Sequence, residues 1–268
     1  MEKKQFRTEK GSVVYWVHAH DEPRQWLVFL PGLTADHSLF EKQLACFCSR
    51  YNCLVWDTPA HGLSRPFELT FSMRDLAAYL HAIFGIEGIA HPVLIGQSLG
   101  GYISQAYMDQ YPDDVRAFVA IDSCPMSREY YSTWELRLLE HTGWIYLSIP
   151  WKVLLKWGVC GTTQTAYGRA LMERIWGVYS KKEFCALADH GYRMLVQAVK
   201  QKEAYMIPCP ALLLCGEKDA AGSAKRYNRQ WTKKDGHRLV WIAGAGHNAN
   251  TDAPEQVNRL IEEFLKTI

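Results

Sequence analysis

Short apolar runs alternate with amphipathic stretches over most of the chain, and this alternation predicts its secondary structure. Each apolar run is bounded by turn-forming residues, as is typical of buried strands. We predict strands at residues 12–18, 26–30, 53–57, 91–95, 117–122, 210–215 and 237–242. The stretches between them predict helices at residues 38–49, 72–84, 102–111, 223–233 and 254–268.

The alternation stops between residues 125 and 207, where no apolar run predicts a strand. This segment holds five of the ten tryptophans, and we expect its helical stretches to break at glycine and proline. The expected breaks lie at Gly143, Pro150, residues 158–161, Gly177 and Gly191. We therefore predict a core formed by residues 1–124 and 208–268, with residues 125–207 as a helical insertion.

Strands that alternate with helices favour an α/β fold, with a mostly parallel sheet and helices on both faces. Ligands of such sheets bind at the carboxyl ends of the strands. Residues that could take part in catalysis or binding follow the predicted strands at that edge. They are Gly32, Leu33, Asp57, Ser98, Asp122, Asp219 and His247.

A Gly-x-Ser-x-Gly pentapeptide at residues 96–100 links a predicted strand to a predicted helix. This is the pattern of a nucleophile elbow, in which a strained turn raises the serine hydroxyl above the sheet. Small residues two before and two after Ser98 allow the neighbouring backbones to pack closely. The amino end of the following helix favours negative charge at the serine. Ser98 is therefore the candidate nucleophile.

A serine nucleophile needs a base, and His247 follows the last predicted strand in a glycine-rich loop. The base needs a carboxylate partner, for which Asp219 completes the chain order Ser, Asp, His. Asp122 ends the strand after the elbow and is the alternative acid. A neutral imidazole is required, so we expect activity to rise with pH through one ionisation near neutrality.

Acyl transfer also needs donors for a developing oxyanion. The backbone N–H of Leu99, directly after the serine, is one candidate. The second is the backbone N–H of Leu33, which follows the Pro31-Gly32 turn after the second predicted strand.

These motifs together resemble the α/β-hydrolase superfamily, in particular its capped branch of esterases, lipases and C–C hydrolases. The matching segments are residues 30–33, 57–64, 96–101, 216–219 and 246–247. The resemblance covers nearly the whole chain and implies an eight-stranded core with residues 125–207 as its cap. It also implies Asp219 as the acid, because the family commonly places this residue in a Gly-x-x-Asp turn.

The chain departs from the family pattern at two positions. Pro31 stands where members usually have histidine, which removes a side chain that often braces the loop but leaves the Leu33 donor. Gln97 stands before the serine, where histidine is common. A serine nucleophile in place of aspartate argues against haloalkane dehalogenase or epoxide hydrolase chemistry.

The leading expectation is a serine hydrolase of a small-to-medium, mainly apolar carboxylic ester or related acyl compound. Gln97, Trp144 and Trp151 are candidate pocket residues, because the cap is rich in rings and aliphatic side chains. One alternative is C–C bond hydrolysis of a dienoate or diketone, with Arg169, Arg174 or Arg193 binding its carboxylate. Another is a non-catalytic small-molecule receptor of the same fold.

Composition bears on the partners, location and cofactors of the protein. The net charge of +2 gives no reason to expect nucleic acid as a partner. No apolar stretch is long enough for a membrane span, and the start lacks the pattern of a signal peptide. Eight scattered cysteines without a zinc spacing predict free thiols, a cytoplasmic location, no metal and no cofactor. We expect a monomer or homodimer.

Overall fold

The computed structural model describes all 268 residues and contains one eight-stranded sheet. Its strands are β1 (Glu2–Thr8), β2 (Gly11–His18), β3 (Trp26–Leu30), β4 (Asn52–Trp56), β5 (Val93–Gln97), β6 (Ala117–Ile121), β7 (Ala211–Gly216) and β8 (Arg238–Ile242). They lie in the order β1-β2-β4-β3-β5-β6-β7-β8. Strands β3 to β8 are parallel, whereas β2 is antiparallel to both of its neighbours. The predicted mostly parallel sheet is confirmed.

Eleven α-helices connect or flank these strands. They are α1 (Glu41–Phe47), α2 (Met73–Glu87), α3 (Leu99–Gln110), α4 (Thr133–Glu140), α5 (Thr142–Ser148), α6 (Trp151–Thr162), α7 (Ala166–Trp176), α8 (Lys181–Lys200), α9 (Ala224–Asp235), α10 (Ala249–Asp252) and α11 (Pro254–Leu265). Short 3₁₀ turns occur at His37–Phe40 and Arg128–Tyr130. Every residue of β4, β5, β6 and β7 is buried. This is the expected result when helices cover both faces of a parallel sheet.

The pattern analysis missed β1 because its sequence, EKKQFRT, is mostly polar. The strand lies at the edge of the sheet and pairs only with β2, so it buries little apolar surface. A strand of this kind is held by its ladder of backbone hydrogen bonds with β2, which leaves no hydrophobic signature.

Residues 125–207 contain α4 to α8 and no strand. Of the expected breaks, Pro150 and Gly177 do lie between helices, whereas Gly143, Gly158, Gly161 and Gly191 lie inside them. Gly191 is needed for close packing instead, since a Cβ there would lie 2.4 Å from Leu33 Cδ1. None of the helices combines the length and the apolar character needed to cross a membrane.

The helical insertion covers the carboxyl edge of the sheet. Its Thr162 carbonyl accepts a hydrogen bond from Asn248 N at 2.9 Å, in the loop after β8. The Tyr179 hydroxyl accepts one from Gly62 N at 3.3 Å, in the loop after β4. With Gly191 against Leu33, the insertion therefore contacts the loops after three different strands.

Candidate active site

Ser98 lies alone between the end of β5 and the start of α3, with a backbone φ of 49° and ψ of −115°. A positive φ is strained for serine and persists only where the surroundings impose it. Here Ser98 N donates to the Ile121 carbonyl at 2.9 Å, and the Ser98 carbonyl accepts from Ser123 Oγ at 2.8 Å. Both restraints come from β6 and the loop after it.

The glycines of the elbow are required for close packing. A Cβ on Gly100 would lie 1.8 Å from the Leu30 carbonyl oxygen, and one on Gly96 would lie 2.4 Å from the backbone of Gly100. Real Cβ atoms do not approach so closely, so α3 packs on β3 and β5 only because both side chains are absent. The amino end of α3 is thereby fixed directly behind Ser98.

His247 follows β8 and reaches across the sheet edge to the serine. Its Nε2 lies 2.9 Å from Ser98 Oγ, and its Nδ1 lies 3.1 Å from each carboxylate oxygen of Asp219. An ionised carboxylate only accepts hydrogen bonds, so in the neutral imidazole Nδ1 carries the proton and Nε2 is free to accept from the serine hydroxyl. The structure thus brings together the three residues that the sequence nominated.

The two candidate acids occupy different positions. Asp219 is buried at the imidazole, and its Oδ1 also accepts from Ala221 N at 2.8 Å. Asp122 makes no hydrogen bond with His247. Its carboxylate accepts from Gly216 N at 2.6 Å and Ala249 N at 2.8 Å. Asp122 therefore joins the end of β7 to the start of α10, next to the site.

The electrostatics of the site favour a charged imidazole. Burial lowers the pKa of His247, but the charge and hydrogen bond of Asp219 outweigh burial and raise this pKa to about 9. Burial, followed by the nearby charge of Asp219, raises the pKa of Asp122 well above its usual value. The sequence predicts that the catalytic base ionises near neutrality, whereas the raised pKa of His247 moves this ionisation to higher pH.

The two candidate oxyanion donors flank the serine. Leu99 N is the first N–H of α3, which has no partner within the helix. Leu33 follows Gly32, whose Cβ, if present, would lie 3.2 Å from Ser98 Cβ. The loop that carries Leu33 is held by Asp57, whose carboxylate accepts from His37 N at 2.7 Å.

Gln97, predicted as a pocket residue, lies at the end of β5 next to Ser98. Its side chain is inside the protein with 1% of the residue exposed. Its Nε2 donates to the His247 carbonyl at 2.8 Å and to Asn248 Oδ1 at 3.1 Å. Its Oε1 lies against Gly32, where a Cβ would be 2.2 Å away. Gln97 therefore connects the loop of the oxyanion donors to the backbone of the histidine.

The two tryptophans predicted for the pocket lie in α5 and at the start of α6. Trp144 is 76% exposed on the outward face of α5. Trp151 is half-buried, and its ring lies 5.3 Å from that of Phe184 inside the insertion. The assignment of these tryptophans to the substrate pocket stays a prediction.

Asp252 is a polar residue of the site that the sequence did not identify. Its carboxylate accepts from Gly246 N at 2.9 Å, next to His247. It also accepts from Gln164 N at 2.9 Å, and from Thr165 N at 3.0 Å and Thr165 Oγ1 at 2.9 Å. Asp252 thus joins the histidine loop to the link between α6 and α7. No local motif marks it, because all its partners except Gly246 are more than eighty residues away.

Two groups of side chains bring three potential metal ligands close together. They are Asp36, His37 and Asp57, and Asp122, Cys215 and Asp219. Internal hydrogen bonds account for the carboxylates of both groups, including one from Ser38 N to Asp36 at 2.8 Å. These groups therefore stabilise the loops of the site.

Comparison with known proteins agrees with this architecture. The family model described as "Alpha/beta hydrolase family" matches residues 27–260. A 2-(acetamidomethylene)succinate hydrolase of Mesorhizobium japonicum is 32% identical over 114 residues, which span 42% of this chain and only 40% of that protein. A 2-succinyl-6-hydroxy-2,4-cyclohexadiene-1-carboxylate synthase of Serratia proteamaculans is 24% identical, over 90% of this chain and 93% of that protein.

A solved structure has the same fold at low sequence identity. The enol-lactonase of Burkholderia xenovorans superposes with a TM-score of 0.76 and 17% identity, covering 98% of this chain and 100% of that one. The family model spans most of the chain, including the elbow, the Asp219 turn and the His247 loop. The chain therefore belongs to the alpha/beta hydrolase family.

Proposed function

We propose that this protein is a serine hydrolase that cleaves a small-to-medium, mainly apolar carboxylic ester or related acyl compound. The observation that carries the proposal is the unbroken chain of hydrogen-bond contacts from Ser98 Oγ through His247 to Asp219. It starts at a strained serine on the amino end of a helix. This arrangement suits nucleophilic attack and stabilisation of negative charge.

In the first half-reaction, Ser98 Oγ attacks the carbonyl carbon while His247 Nε2 takes the hydroxyl proton. The backbone N–H groups of Leu33 and Leu99 bind the oxygen of the tetrahedral intermediate. Collapse of the intermediate breaks the bond to the leaving alcohol, which receives the proton from His247. The acyl group stays on the serine.

In the second half-reaction, a water molecule gives a proton to His247 and attacks the acyl carbon. The bond to Ser98 breaks, the serine regains its proton and a carboxylic acid leaves. Asp219 holds the imidazole in the required tautomer and stabilises its charged form in both halves.

The positions of the three arginines that could bind a substrate carboxylate support ester hydrolysis over C–C bond hydrolysis. Arg174 pairs with Glu41 at 3.1 Å and Arg193 with Asp189 at 2.8 Å, and both side chains are more than half exposed. Arg169 is exposed and donates to the Gln164 carbonyl. With these cations turned to the surface, an apolar acyl group fits better than a dienoate carboxylate. The enol-lactonase activity named for the similar structure is also hydrolysis of an ester bond.

The test is a series of esters of increasing acyl length, with a carboxylate-bearing dienoate included. Each buried methylene should raise kcat/KM by up to about fourfold, from about 0.8 kcal/mol of transfer free energy, until the pocket is full. We expect a maximum at short-to-medium chains and loss of turnover in Ser98→Ala. Preference for the dienoate would overturn the proposal in favour of C–C cleavage. Absence of all turnover, with ligand binding retained, would indicate a receptor.

A further inference from the structure

Helix α5 exposes its large apolar side chains to solvent. Trp144, Ile145 and Leu147 are 76%, 44% and 53% exposed and share its outward face. Gly143 is the buried residue of α5 and lies against Asp189 of α8. A surface helix normally presents polar residues outward, so α5 has the reverse of the usual arrangement on this side.

Helix α6 follows α5 directly in the chain, and both helices pack on the same residue of α8. Tyr146 of α5 and Trp151 of α6 lie at ring distances of 6.3 and 5.3 Å from Phe184. On the outward side of α6, Trp157 is 64% exposed. We define the α5–α6 surface by its exposed residues, which are Trp144, Ile145, Leu147, Lys152, Lys156 and Trp157.

The charge of this surface has a single sign. No aspartate or glutamate occurs from residue 141 to 172, whereas Lys152 and Lys156 are exposed and make no ion pair. At its border, Lys181 Nζ donates to the Leu147 carbonyl at 2.7 Å. The whole insertion contains eleven lysines and arginines against seven acidic residues, although the chain has a net charge of only +2.

Most acidic side chains of the insertion are already neutralised by partners. The ion pairs are Glu129–Lys234, Glu135–Arg226, Glu140–Lys200, Glu183–Arg65 and Asp189–Arg193. The uncompensated charge of the insertion is therefore mainly positive. It lies beside exposed tryptophan and aliphatic side chains, a combination that marks an interaction site more often than ordinary surface.

We infer that the α5–α6 surface docks onto the headgroup layer of an anionic lipid bilayer. Tryptophan is suited to this layer, because its ring is apolar while its indole N–H stays hydrated. Lysine extends its charge to the lipid phosphates while its methylenes lie on apolar surface. Because the surface has no acidic residues, it does not repel anionic lipid. A neutral or basic partner would not require this absence of acidic residues.

Docking does not depend on the proposed hydrolysis. None of the exposed side chains that define the surface makes a hydrogen bond with Ser98 or His247, so a Ser98→Ala protein should bind equally well. An enzyme held in this way is close to the apolar esters that partition into a bilayer.

Vesicle sedimentation with the full chain tests the inference. We expect binding to vesicles of phosphatidylcholine with about 30% phosphatidylserine, weaker binding to phosphatidylcholine alone, and release by salt. Reversing two charges in Lys152→Glu/Lys156→Glu should lower the partition coefficient at least about 30-fold. Trp144→Ser/Leu147→Ser should lower it for both vesicle types.

The matched control is Ile86→Ser/Lys233→Glu, which changes an exposed aliphatic residue and an exposed lysine on α2 and α9. Equal loss in this control, or no partition of the parent protein, overturns the inference. A change from dimer to monomer in Trp144→Ser/Leu147→Ser, with lipid binding unaltered, overturns it in favour of self-association.

A second measurement uses tryptophan fluorescence in place of sedimentation. Brominated lipid should quench the tryptophan emission of the bound protein, and Trp144→Phe/Trp157→Phe should remove most of that quenching. Quenching that persists in this variant would place the lipid contact elsewhere and contradict the inference.

Discussion

The carboxyl edge of the sheet and the α5–α6 surface are built in opposite ways. At the sheet edge, polar side chains are held by hydrogen bonds from within the chain, as at Asp252, whose carboxylate accepts from four donor groups. On the α5–α6 surface, large apolar groups face water and lysines lack partners. The first region is explained by contacts within the chain. The second is explained only by something outside it, which is the difference between a preorganised site and a docking surface.

The largest expected effect comes from removing the base at the sheet edge. His247→Ala should lower kcat by about 10⁶-fold, because the serine hydroxyl then has no proton acceptor. Steady-state turnover of a saturating ester measures this kcat. A loss below tenfold would show that His247 is not the base.

Substitution of the two candidate acids, Asp219 and Asp122, should have very different effects on kcat. Asp219→Asn should lower kcat by about 10⁴-fold, since the imidazole loses its partner for Nδ1. Asp122→Asn should have a much smaller effect, because Asp122 contacts only backbone N–H groups. The reverse ranking would transfer the acid role to Asp122.

The pH profile is a second readout of the same pair. His247 must be neutral to act as base, and its pKa is raised to about 9, so kcat/KM should rise with pH up to that region. Without the Asp219 charge and hydrogen bond, burial lowers this pKa and only the nearby charge of Asp122 opposes it. The rising limb of Asp219→Asn should therefore move to lower pH, and an unmoved limb would contradict the assignment.

Asp252 tests how far the insertion supports the histidine. Asp252→Asn should lower kcat by 10- to 100-fold with little change in KM, because a displaced imidazole loses alignment with Ser98. Asp113→Asn, at an exposed position without an ion pair, is the matched control. Equal behaviour of the two variants would show that this contact does not position His247.

The smallest effect is expected on the α5–α6 surface. Trp144→Ser should change the free energy of unfolding by less than about 0.5 kcal/mol, because the side chain packs on little. Phe184→Ala, beneath the same surface, should cost about 3–5 kcal/mol. Denaturant unfolding compares them, and similar losses would mean that Trp144 belongs to the core of the insertion.

The two regions also differed in how well the sequence predicted them. The elbow was predictable because its strained turn and its close packing at Gly96 and Gly100 restrict residue types within five positions. Short-range constraints of this kind leave a readable pattern. The relation of Ser98 to Asp219 and His247 depended on the order of strands, which the alternation and the family resemblance supplied.

Long-range contacts left no such pattern. The sequence predicts a helix break at Gly191, but this residue lies within α8. It is glycine because Leu33 packs closely against it. Gln97 and Asp252 bind groups that are distant in sequence, so nothing near them indicates their partners. The sequence likewise gives no sign that Trp144 is largely exposed, because large apolar residues usually face inward.

Covalent labelling of the serine tests the central claim most directly. A fluorophosphonate probe reacts with activated serine nucleophiles, and mass spectrometry of the intact protein and its peptides locates the adduct. We predict one adduct, on Ser98, that is absent from Ser98→Ala and forms far more slowly in His247→Ala. Equal labelling of the parent and Ser98→Ala proteins would contradict the proposed nucleophile.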